Sequence, residues 1–216
     1  SEIAKSKVKN QKSKLQIKSK KVNYLGLDPS KKLIELNKEK FLMDRDPSLS
    51  LRMTPKFRVG DGLNFPPKAD RAVAEKYKFD YVISIAVLHH IPSKELQLKF
   101  LTNIYNLLKP NLHPRGGGGK VLISVWNRLQ DKYLKYSTSE YKQKILHQSN
   151  LVPELFSDLQ YNDLLVPWKQ SGCFRFIHTF KPEELELLAK KAGFKNIKVI
   201  SSKHNIKTDL SKALGI

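Results

Sequence analysis

The sequence predicts an α/β domain whose sheet is mostly parallel. Short apolar runs alternate with stretches of helical periodicity, which is the pattern of strands joined by crossover helices. Residues 79–86 are almost continuously apolar, as is typical of a strand covered on both faces in a parallel sheet. A length of 216 residues suits one core with polar appendages.

The first elements are a strand and a helix joined by a turn. Residues 22–27 form a short apolar run that ends at Asp28 and Pro29, and a helix is predicted over residues 31–40 with Ser30 as its N-cap. The later strands are predicted over residues 56–59, 79–86, 120–126, 174–180 and 197–200. The later helices are predicted over residues 92–108 and over residues 182–192, where Gly193 ends the second.

Composition divides the chain into three segments. Residues 1–21 hold eight lysines and one acid with few apolar groups, so we predict a flexible segment. It serves either as a tether for nucleic-acid phosphates or as a solvated linker. Residues 22–202 form the predicted domain, in which residues 127–171 are polar and are predicted to be irregular. Residues 203–216 show no convincing element.

The charge and the cysteine count exclude several classes of protein. Forty Lys and Arg against twenty Asp and Glu give a net charge of +20, which favours a polyanionic partner. A single cysteine, Cys173, excludes a disulfide framework and a cysteine-based zinc cluster within this chain. No apolar run reaches the length of about 18 residues that a membrane span needs, and the first residues lack the apolar part of a secretory signal. We therefore expect a cytoplasmic or nuclear protein.

Polar residues follow three of the predicted strands, where a parallel sheet binds its ligands. Asp28 can accept hydrogen bonds from the hydroxyls of a ribose, and Asp61 stands between two glycines that allow close approach of a ligand. His89 and His90 follow the apolar run of residues 79–86. Each has a second interpretation: both acids as turn formers, and His90 as the cap of the next helix.

These blocks resemble class I S-adenosylmethionine-dependent methyltransferases. The resemblance rests on four features. They are Asp28 after the first predicted strand, Asp61-Gly62 after the second, Phe79-Asp80 at the start of the third, and the helical stretch of residues 180–194. A closer match is to the eukaryotic tRNA wobble-uridine carboxymethyl methyltransferases, the yeast tRNA methyltransferase 9 family. It is carried by VGDGLNFP at 59–66, ISIAVLHH at 83–90, VW at 125–126, DLLVPW at 163–168 and RFIH at 175–178.

The resemblance implies a Rossmann-like fold with a mostly parallel central sheet flanked by helices, and residues 127–173 as an insertion on the substrate side. It implies an enzyme that transfers a methyl group from S-adenosylmethionine to the carboxylate of 5-carboxymethyluridine at the tRNA wobble position. It also implies a heterodimer with a small zinc-binding activator protein. The cofactor-binding residues would be Asp28, Ser30, Asp61, Gly62 and Ile85. The catalytic residues would be His89, His90, Trp126, Asp163, Trp168, Arg175 and His178.

The implied reaction needs no general base, because a carboxylate with a pKa of about 4 is already ionised at neutral pH. Arg175 can bind a carboxylate through its planar fork, and the two tryptophans can stack on a base. Asp163 can orient Arg175 or a histidine.

Each of these residues also has a structural interpretation. Trp126 can belong to the core, Arg175 can be a phosphate contact, His178 can be a satisfied buried histidine, and Asp163 can be a turn residue. Adjacent histidines point in different directions, so we expect no metal site.

The chain departs from the family pattern before Val22, where we find neither a first strand nor a Gly-x-Gly cofactor loop. Three explanations remain open: segments missing from the sequence, a shortened chain, or a paralogue that has lost cofactor binding. The competing functions are a non-catalytic tRNA-binding paralogue and a general small-molecule methyltransferase.

The predicted partner would add a strand beside residues 56–59, which lie at the sheet edge in class I folds. Apolar residues cluster around this strand, namely Leu49, Leu51, Met53, Phe57 and Phe65. Alternatively, these side chains pack under the preceding helix.

Overall fold

The computed structural model describes residues 22–43, 53–65, 77–110, 118–126, 135–148, 159–160, 162–168 and 172–200. The predictions for residues 1–21 and 203–216 lie outside these ranges. The strands are β1 (Val22–Asp28), β2 (Met53–Val59), β3 (Tyr81–Ile85), β4 (Lys120–Ser124), β5 (Asp163–Pro167) and β6 (Phe174–His178). The helices are α1 (Lys31–Met43), α2 (Lys94–Leu107), α3 (Ser139–Gln148) and α4 (Pro182–Lys191), with a 3₁₀ turn at Leu88–His90. None of these helices is long and apolar enough to cross a membrane.

The first of two compact units, Ser1–Asp61, contains a β-α-β element. β1 and β2 are parallel and in register from Val22 opposite Met53 to Asp28 opposite Val59. Ser30 caps α1 as the sequence predicts, because its Oγ accepts the backbone N–H of Leu33 at 3.3 Å. α1 buries Ile34, and its Phe41 packs edge-on against Phe57 of β2. This element therefore brings the carboxyl end of β1 to the start of α1.

The second unit, Gly62–Ile216, contains the larger core. β3 and β4 are parallel, and α2 and α4 pack against one of their faces through Val82, Val121 and Ile123. Ser93 caps α2 by accepting the N–H of Leu96 at 3.3 Å, so the alternative that His90 caps this helix is wrong. The buried members of the core are Leu88, Ile91, Phe100, Leu101, Ile104, Phe180, Leu188 and Ala192.

A hairpin of β5 and β6 completes the second unit. The two strands are antiparallel, from Asp163 opposite His178 to Pro167 opposite Phe174. One face buries Leu164, Val166 and Ile177 in a small second core, against which Trp126 and Tyr136 pack. The hairpin thus has one apolar face that the residue after β4 partly covers.

The prediction of an α/β fold with parallel strand pairs is confirmed. In the described residues the parallel pairs β1–β2 and β3–β4 are two separate two-stranded sheets, and the β5–β6 hairpin is a third. The strand predicted over residues 79–86 is shorter, and within the described ranges it pairs on one side only, with β4. On one face of this strand Tyr81, Ile83 and Ile85 are about half exposed, whereas a strand covered on both faces was expected.

Two local predictions are wrong. Residues 127–171 are not irregular throughout, since they contain α3 and β5. Thr138 caps α3 by accepting the N–H of Tyr141, and Ile145 of this helix is buried. Residues 197–200 form no strand, because no described strand pairs with them and Ile200 stays 54% exposed.

Candidate active site

The loop after β3 brings two histidines to the carboxyl end of the strand. Ala86 has a φ of 56°, which turns the chain sharply, and its N–H donates to the carbonyl and the hydroxyl oxygens of Ser124. The next turn is anchored by Leu88, which is fully buried in the core. His89 and His90 therefore leave the strand from a backbone that is held on both sides. A non-glycine residue at positive φ stores strain, and such strain is concentrated at functional sites.

Three rings meet at this strand end. The imidazole of His89 stacks on the indole of Trp126, with ring centres 4.7 Å apart and planes 28° apart. The ring centres of His89 and His90 are 4.2 Å apart, and those of His90 and Trp126 are 5.7 Å apart. The structure thus brings together His89 and His90, which the sequence placed after one predicted strand, and Trp126, which it placed at the end of another.

His89 is held as a neutral hydrogen-bond donor. Its Nδ1 accepts the backbone N–H of Trp126 at 3.3 Å, so the proton of the neutral ring lies on Nε2. Burial, with added repulsion from His90 and Arg175, lowers the pKa of His89 from 6.5 to about 3. The ring therefore stays uncharged at physiological pH. Its Nε2 is buried and has no hydrogen-bond partner among the described residues.

His90 joins the loop to the hairpin. Its Nδ1 lies 2.8 Å from the carbonyl oxygen of Phe176, which can only accept, so Nδ1 carries a proton and donates. Phe176 belongs to β6. This bond ties the loop after β3 to the strand that carries Arg175.

Arg175 lies against both tryptophans. The centre of its guanidinium is 4.2 Å from the ring centre of Trp168 and 5.1 Å from that of Trp126, which are cation–π distances. Its Nε is buried and has no hydrogen-bond partner among the described residues. Trp168 is 45% exposed, so one side of this stack is open to solvent. A cation with an unsatisfied donor therefore lies beside an accessible aromatic surface.

Asp163 and His178 form a second, buried group. The Oδ1 of Asp163 lies 2.6 Å from the Nδ1 of His178, so of the two partners considered for Asp163 the described structure shows the histidine. The other ring nitrogen lies 3.3 Å from the Oε1 of Glu184. Burial opposes the charge of His178, but the bond to Asp163 and the charges of Glu184 and Asp163 together raise its pKa. The side chain is 2% exposed and Asp163 satisfies its Nδ1, but its Nε2 makes no hydrogen bond among the described residues, so the interpretation as a satisfied buried histidine fits only one of the two ring nitrogens.

Sequence reasoning missed Glu184. It lies in the first turn of α4, where an acid is favoured by the helix dipole and needs no further explanation. Only the folded structure shows that this carboxylate faces His178 on β6. The three groups form a line, and no described cluster of His, Cys, Asp or Glu has an arrangement that could hold a metal ion.

The residues predicted to bind a cofactor divide between the two units. Asp28, Ser30 and Asp61 lie in the first unit. The Oδ1 of Asp28 accepts the N–H of Ser30 at 2.8 Å, which fixes the carboxylate at the end of β1 and also fits its interpretation as a turn former. Gly62 and Ile85 lie in the second unit, where Ile85 is about half exposed at the end of β3. A Cβ on Gly62 would come 2.6 Å from the ring of Phe100, so only glycine fits there without displacement.

A family comparison covers most of the chain. A family model described as "Methyltransferase domain" matches residues 14–199. In fold, the chain is similar to a SAM-dependent methyltransferase from Methanosarcina mazei, whose crystal structure superimposes with a TM-score of 0.53 at 17% identity. That superposition covers 84% of this chain and 75% of the other.

Curated relatives share a single name. The chain is 29% identical to the tRNA (carboxymethyluridine(34)-5-O)-methyltransferase alkbh8 of Xenopus tropicalis, over 84% of this chain and 32% of that protein. It is 30% identical to the protein of that name in Schizosaccharomyces pombe, over 62% of this chain and 54% of that protein. It is also 30% identical to the protein of that name in Saccharomyces cerevisiae, over 48% of this chain and 31% of that protein. The chain thus spans between about a third and about half of the length of these relatives.

Proposed function

The chain belongs to the methyltransferase domain family, and on this basis we propose that it methylates the carboxylate of 5-carboxymethyluridine at the tRNA wobble position. The names of the curated relatives state a reaction at this nucleotide. The observation that carries the proposal is the pair of buried, unpartnered donors, Nε2 of His89 and Nε of Arg175, beside the indole of Trp126. The net charge of +20 supports a nucleic acid as the larger substrate.

Two unsatisfied donors favour an anionic ligand. A buried donor without an acceptor costs about 1–3 kcal/mol, so a ligand that supplies acceptors regains that free energy. A carboxylate offers two oxygens and can accept from both groups. His89 adds a directed N–H without a charge, because its pKa is about 3, whereas Arg175 supplies the cation. This combination suits an acid and disfavours the neutral ester that methylation produces.

The tryptophans give the base a surface to stack on. Trp168 is half exposed next to Arg175, and Trp126 contacts both the guanidinium and the ring of His89. Proteins that bind single-stranded RNA stack splayed bases on aromatic rings and on guanidinium planes. We assign Trp168 to the base and Arg175 to the carboxylate of the same nucleotide.

The chemistry asks the protein mainly for positioning. Bound S-adenosylmethionine would supply a methyl group on a sulfonium, which a carboxylate oxygen can attack directly. The carboxylate of the substrate is ionised at neutral pH, so no residue has to remove a proton. His89 and Arg175 hold the carboxylate in a fixed orientation, and the buried setting of these groups excludes water that would compete with it.

Cofactor binding is assigned to the residues at the strand ends. The carboxylate of Asp28, fixed by Ser30, has the acceptor character that ribose hydroxyls need, and Asp61 can accept from the amino group of an adenine. Gly62 packs closely on the ring of Phe100, where a side chain would have to displace that ring, and Ile85 offers an apolar surface. The donor and acceptor types of these residues fit S-adenosylmethionine.

Asp163 and His178 are assigned a positioning role. Both side chains are buried and engaged with each other and with Glu184, so they hold β6 in place rather than contact the substrate. Arg175 lies three residues before His178 on the same strand. Disruption of the pair should therefore move Arg175 without removing it.

Calorimetry tests the proposal on two ligands. S-adenosylmethionine should bind the purified chain, and tRNA carrying 5-carboxymethyluridine should bind more tightly than tRNA carrying the methyl ester. The matched variant His89→Ala should lose this preference for the acid while it keeps affinity for S-adenosylmethionine. Equal affinity for acid and ester would contradict the proposal. Binding of tRNA without any binding of S-adenosylmethionine would favour the second candidate, a non-catalytic tRNA-binding paralogue, which the high positive charge also suits.

The predicted partner, a small zinc-binding activator protein, remains a proposal. Within the described residues β2 pairs on one side only, with β1, and Val59 is 54% exposed, which supports strand addition at this edge. Phe57, however, packs on Phe41 of α1 and on Tyr24 of β1, as the alternative interpretation expects. Leu49 and Leu51 lie outside the described residues. Co-expression of the chain with the activator protein should yield a 1:1 complex that Val59→Asp weakens. A monomer that is fully active on tRNA would overturn the proposal of a partner.

A further inference from the structure

We propose that a second pocket, at the turn end of the β5–β6 hairpin, binds the base of a nucleotide next to the modified uridine. The inference rests on the proposed function, because it names a further contact of the same RNA. The hairpin pocket is a cavity of about 220 Å³ whose lining includes Tyr141 and Lys144 of α3 and Pro167, Gly172, Cys173 and Phe174 of the hairpin. Sites for drug-sized molecules begin at about 300 Å³, so this cavity suits a single flat ring system rather than a whole cofactor.

The aromatic wall of the hairpin pocket is fixed in place. The hydroxyl of Tyr141 donates to the carbonyl of Leu165 at 3.2 Å, and its ring packs edge-on against Tyr136 at 5.0 Å. Burial, with the neighbouring Tyr136, raises the pKa of Tyr141 to about 12, so the hydroxyl keeps the proton that makes this bond. Phe174 adds a second aromatic ring to the lining. Rigid aromatic surfaces of this kind bind bases with little dependence on sequence.

The mouth of the hairpin pocket is open and carries a positive charge. A Cβ placed on Gly172 would meet no heavy atom of the described residues within 4 Å, and its φ of +69° favours glycine there. Lys144 is exposed at the rim, where an ammonium group can neutralise the phosphate attached to a bound base. Among the described lining residues, an apolar interior with the ammonium group of Lys144 at its edge has the polarity of a nucleotide site.

The hairpin pocket and the Arg175 site lie on opposite faces of one strand. Phe174 and Arg175 are consecutive in β6, and successive side chains of a strand point to opposite faces. Phe174 lines the pocket, whereas Arg175 lies against Trp168 and Trp126. Trp168, in turn, follows Pro167 of the pocket lining, and its N–H donates to the carbonyl of Cys173 at 2.8 Å. A single-stranded loop that passes the end of the hairpin can therefore place neighbouring bases on either side.

Cys173 allows a direct test, because it is exposed, lines the pocket and is the single cysteine of the sequence. The full chain is labelled at this thiol with a bulky maleimide, and binding is measured to an anticodon stem-loop RNA that carries 5-carboxymethyluridine. We expect the label to weaken binding about five- to a hundredfold, the range for loss of one stacked base. The same RNA, bound first, should slow the labelling.

Abasic RNAs identify what the label displaces. Stem-loops that lack the base on one or the other side of the modified uridine are compared with the complete loop. One of the two should bind labelled and unlabelled protein alike, because it has no base for the pocket. Equal affinity of labelled and unlabelled protein for the complete loop would overturn the inference. So would an equal loss for all three RNAs, since the label would then obstruct the backbone alone. Cys173→Ser protein must bind equally before and after exposure to the reagent.

Two lysine variants distinguish a phosphate contact at the pocket from the general attraction of RNA to positive charge. Lys144 lines the pocket and Lys142 lies on the same helix without lining it. Lys144→Gln should weaken binding of the complete stem-loop more than Lys142→Gln does, and equal effects would count against a phosphate contact at the pocket. Methyl transfer to the free nucleoside distinguishes the two proposals. If it occurs while labelled Cys173 has no effect on RNA binding, the proposed function stands and the pocket assignment fails.

Discussion

The Nδ1 atom of His89 accepts the backbone N–H of Trp126 across 3.3 Å, which joins the loop after β3 to the residue that follows β4. This bond decides the position of the imidazole proton, because a nitrogen that accepts cannot also carry it in the neutral ring. The Nε2–H is therefore presented in a fixed direction. Because the pKa of the ring is about 3, the imidazole stays neutral over the whole physiological pH range.

Replacement of His89 should lower kcat/KM. His89→Ala removes a hydrogen bond to a charged carboxylate, worth about 1.5–3 kcal/mol, so we expect a decrease of about ten- to a hundredfold in methyl transfer to tRNA. His89→Gln keeps an N–H donor and should recover part of the loss. The remaining pH profile should show no ionisation from His89 near pH 6.5, because its pKa is about 3. A His89→Ala enzyme with the kcat/KM of the wild type would remove His89 from the site.

Replacement of Trp168 should affect substrate binding more than chemistry. Its ring is 45% exposed and stacks on Arg175, so truncation leaves the core intact. Loss of one stacked base costs about 1–3 kcal/mol, which predicts a KM raised about five- to a hundredfold for Trp168→Ala with kcat nearly unchanged. Trp168→Phe keeps an aromatic face and is the control. Steady-state kinetics on tRNA decide the point, and an effect on kcat alone would exclude a stacking role.

The sequence predicted local elements better than contacts between distant ones. Ser30 and the run of residues 22–27 contain the whole signal for β1 and the start of α1, so both were predicted correctly. α3 was missed because most of its residues are polar and, among its described side chains, Ile145 is the one that is buried, which leaves little periodicity to detect. The contact of His178 with Glu184 joins a strand to a helix, and no spacing rule relates the two. Residues 197–200 alternate like a strand but lack a neighbour to pair with in the described structure.

Asp28 should contribute to cofactor affinity separately from its role in the turn. Asp28→Asn keeps an oxygen that can accept the N–H of Ser30, so the turn and the folding stability should be retained. The lost charge-assisted hydrogen bond predicts an affinity for S-adenosylmethionine that is about ten- to a hundredfold lower. Asp61→Ala should act similarly. Calorimetry gives the affinities and thermal unfolding gives the stability; wild-type affinity in both variants would leave the acids as turn formers alone.

The charged histidine at the hairpin should make stability depend on pH. Asp163 and Glu184 face His178, and Lys94 lies 3.9 Å from Glu184. Burial opposes protonation, yet the carboxylates raise the pKa of His178 above its unfolded value. The resulting stabilisation is fully present below the unfolded pKa of about 6.5 and is lost as the pH rises through the folded pKa.

This dependence can be measured with a matched pair of variants. The free energy of unfolding in urea is compared for the wild type and His178→Gln from about pH 6 to about pH 9. The difference should be largest at the acidic end and should decrease as the pH rises. His147→Gln, an exposed histidine on α3, should show no such trend. A difference that is independent of pH would mean that His178 is not charged in the folded protein.

The most direct test of the account is the transfer reaction itself. The chain, alone and together with the proposed activator protein, is incubated with methyl-labelled S-adenosylmethionine and tRNA that carries 5-carboxymethyluridine at the wobble position. The account predicts label in the tRNA that mild alkali releases as methanol, because the product is a carboxylate ester, and no label in tRNA with an unmodified wobble uridine. Label that resists alkali, or equal labelling of both tRNAs, would contradict it.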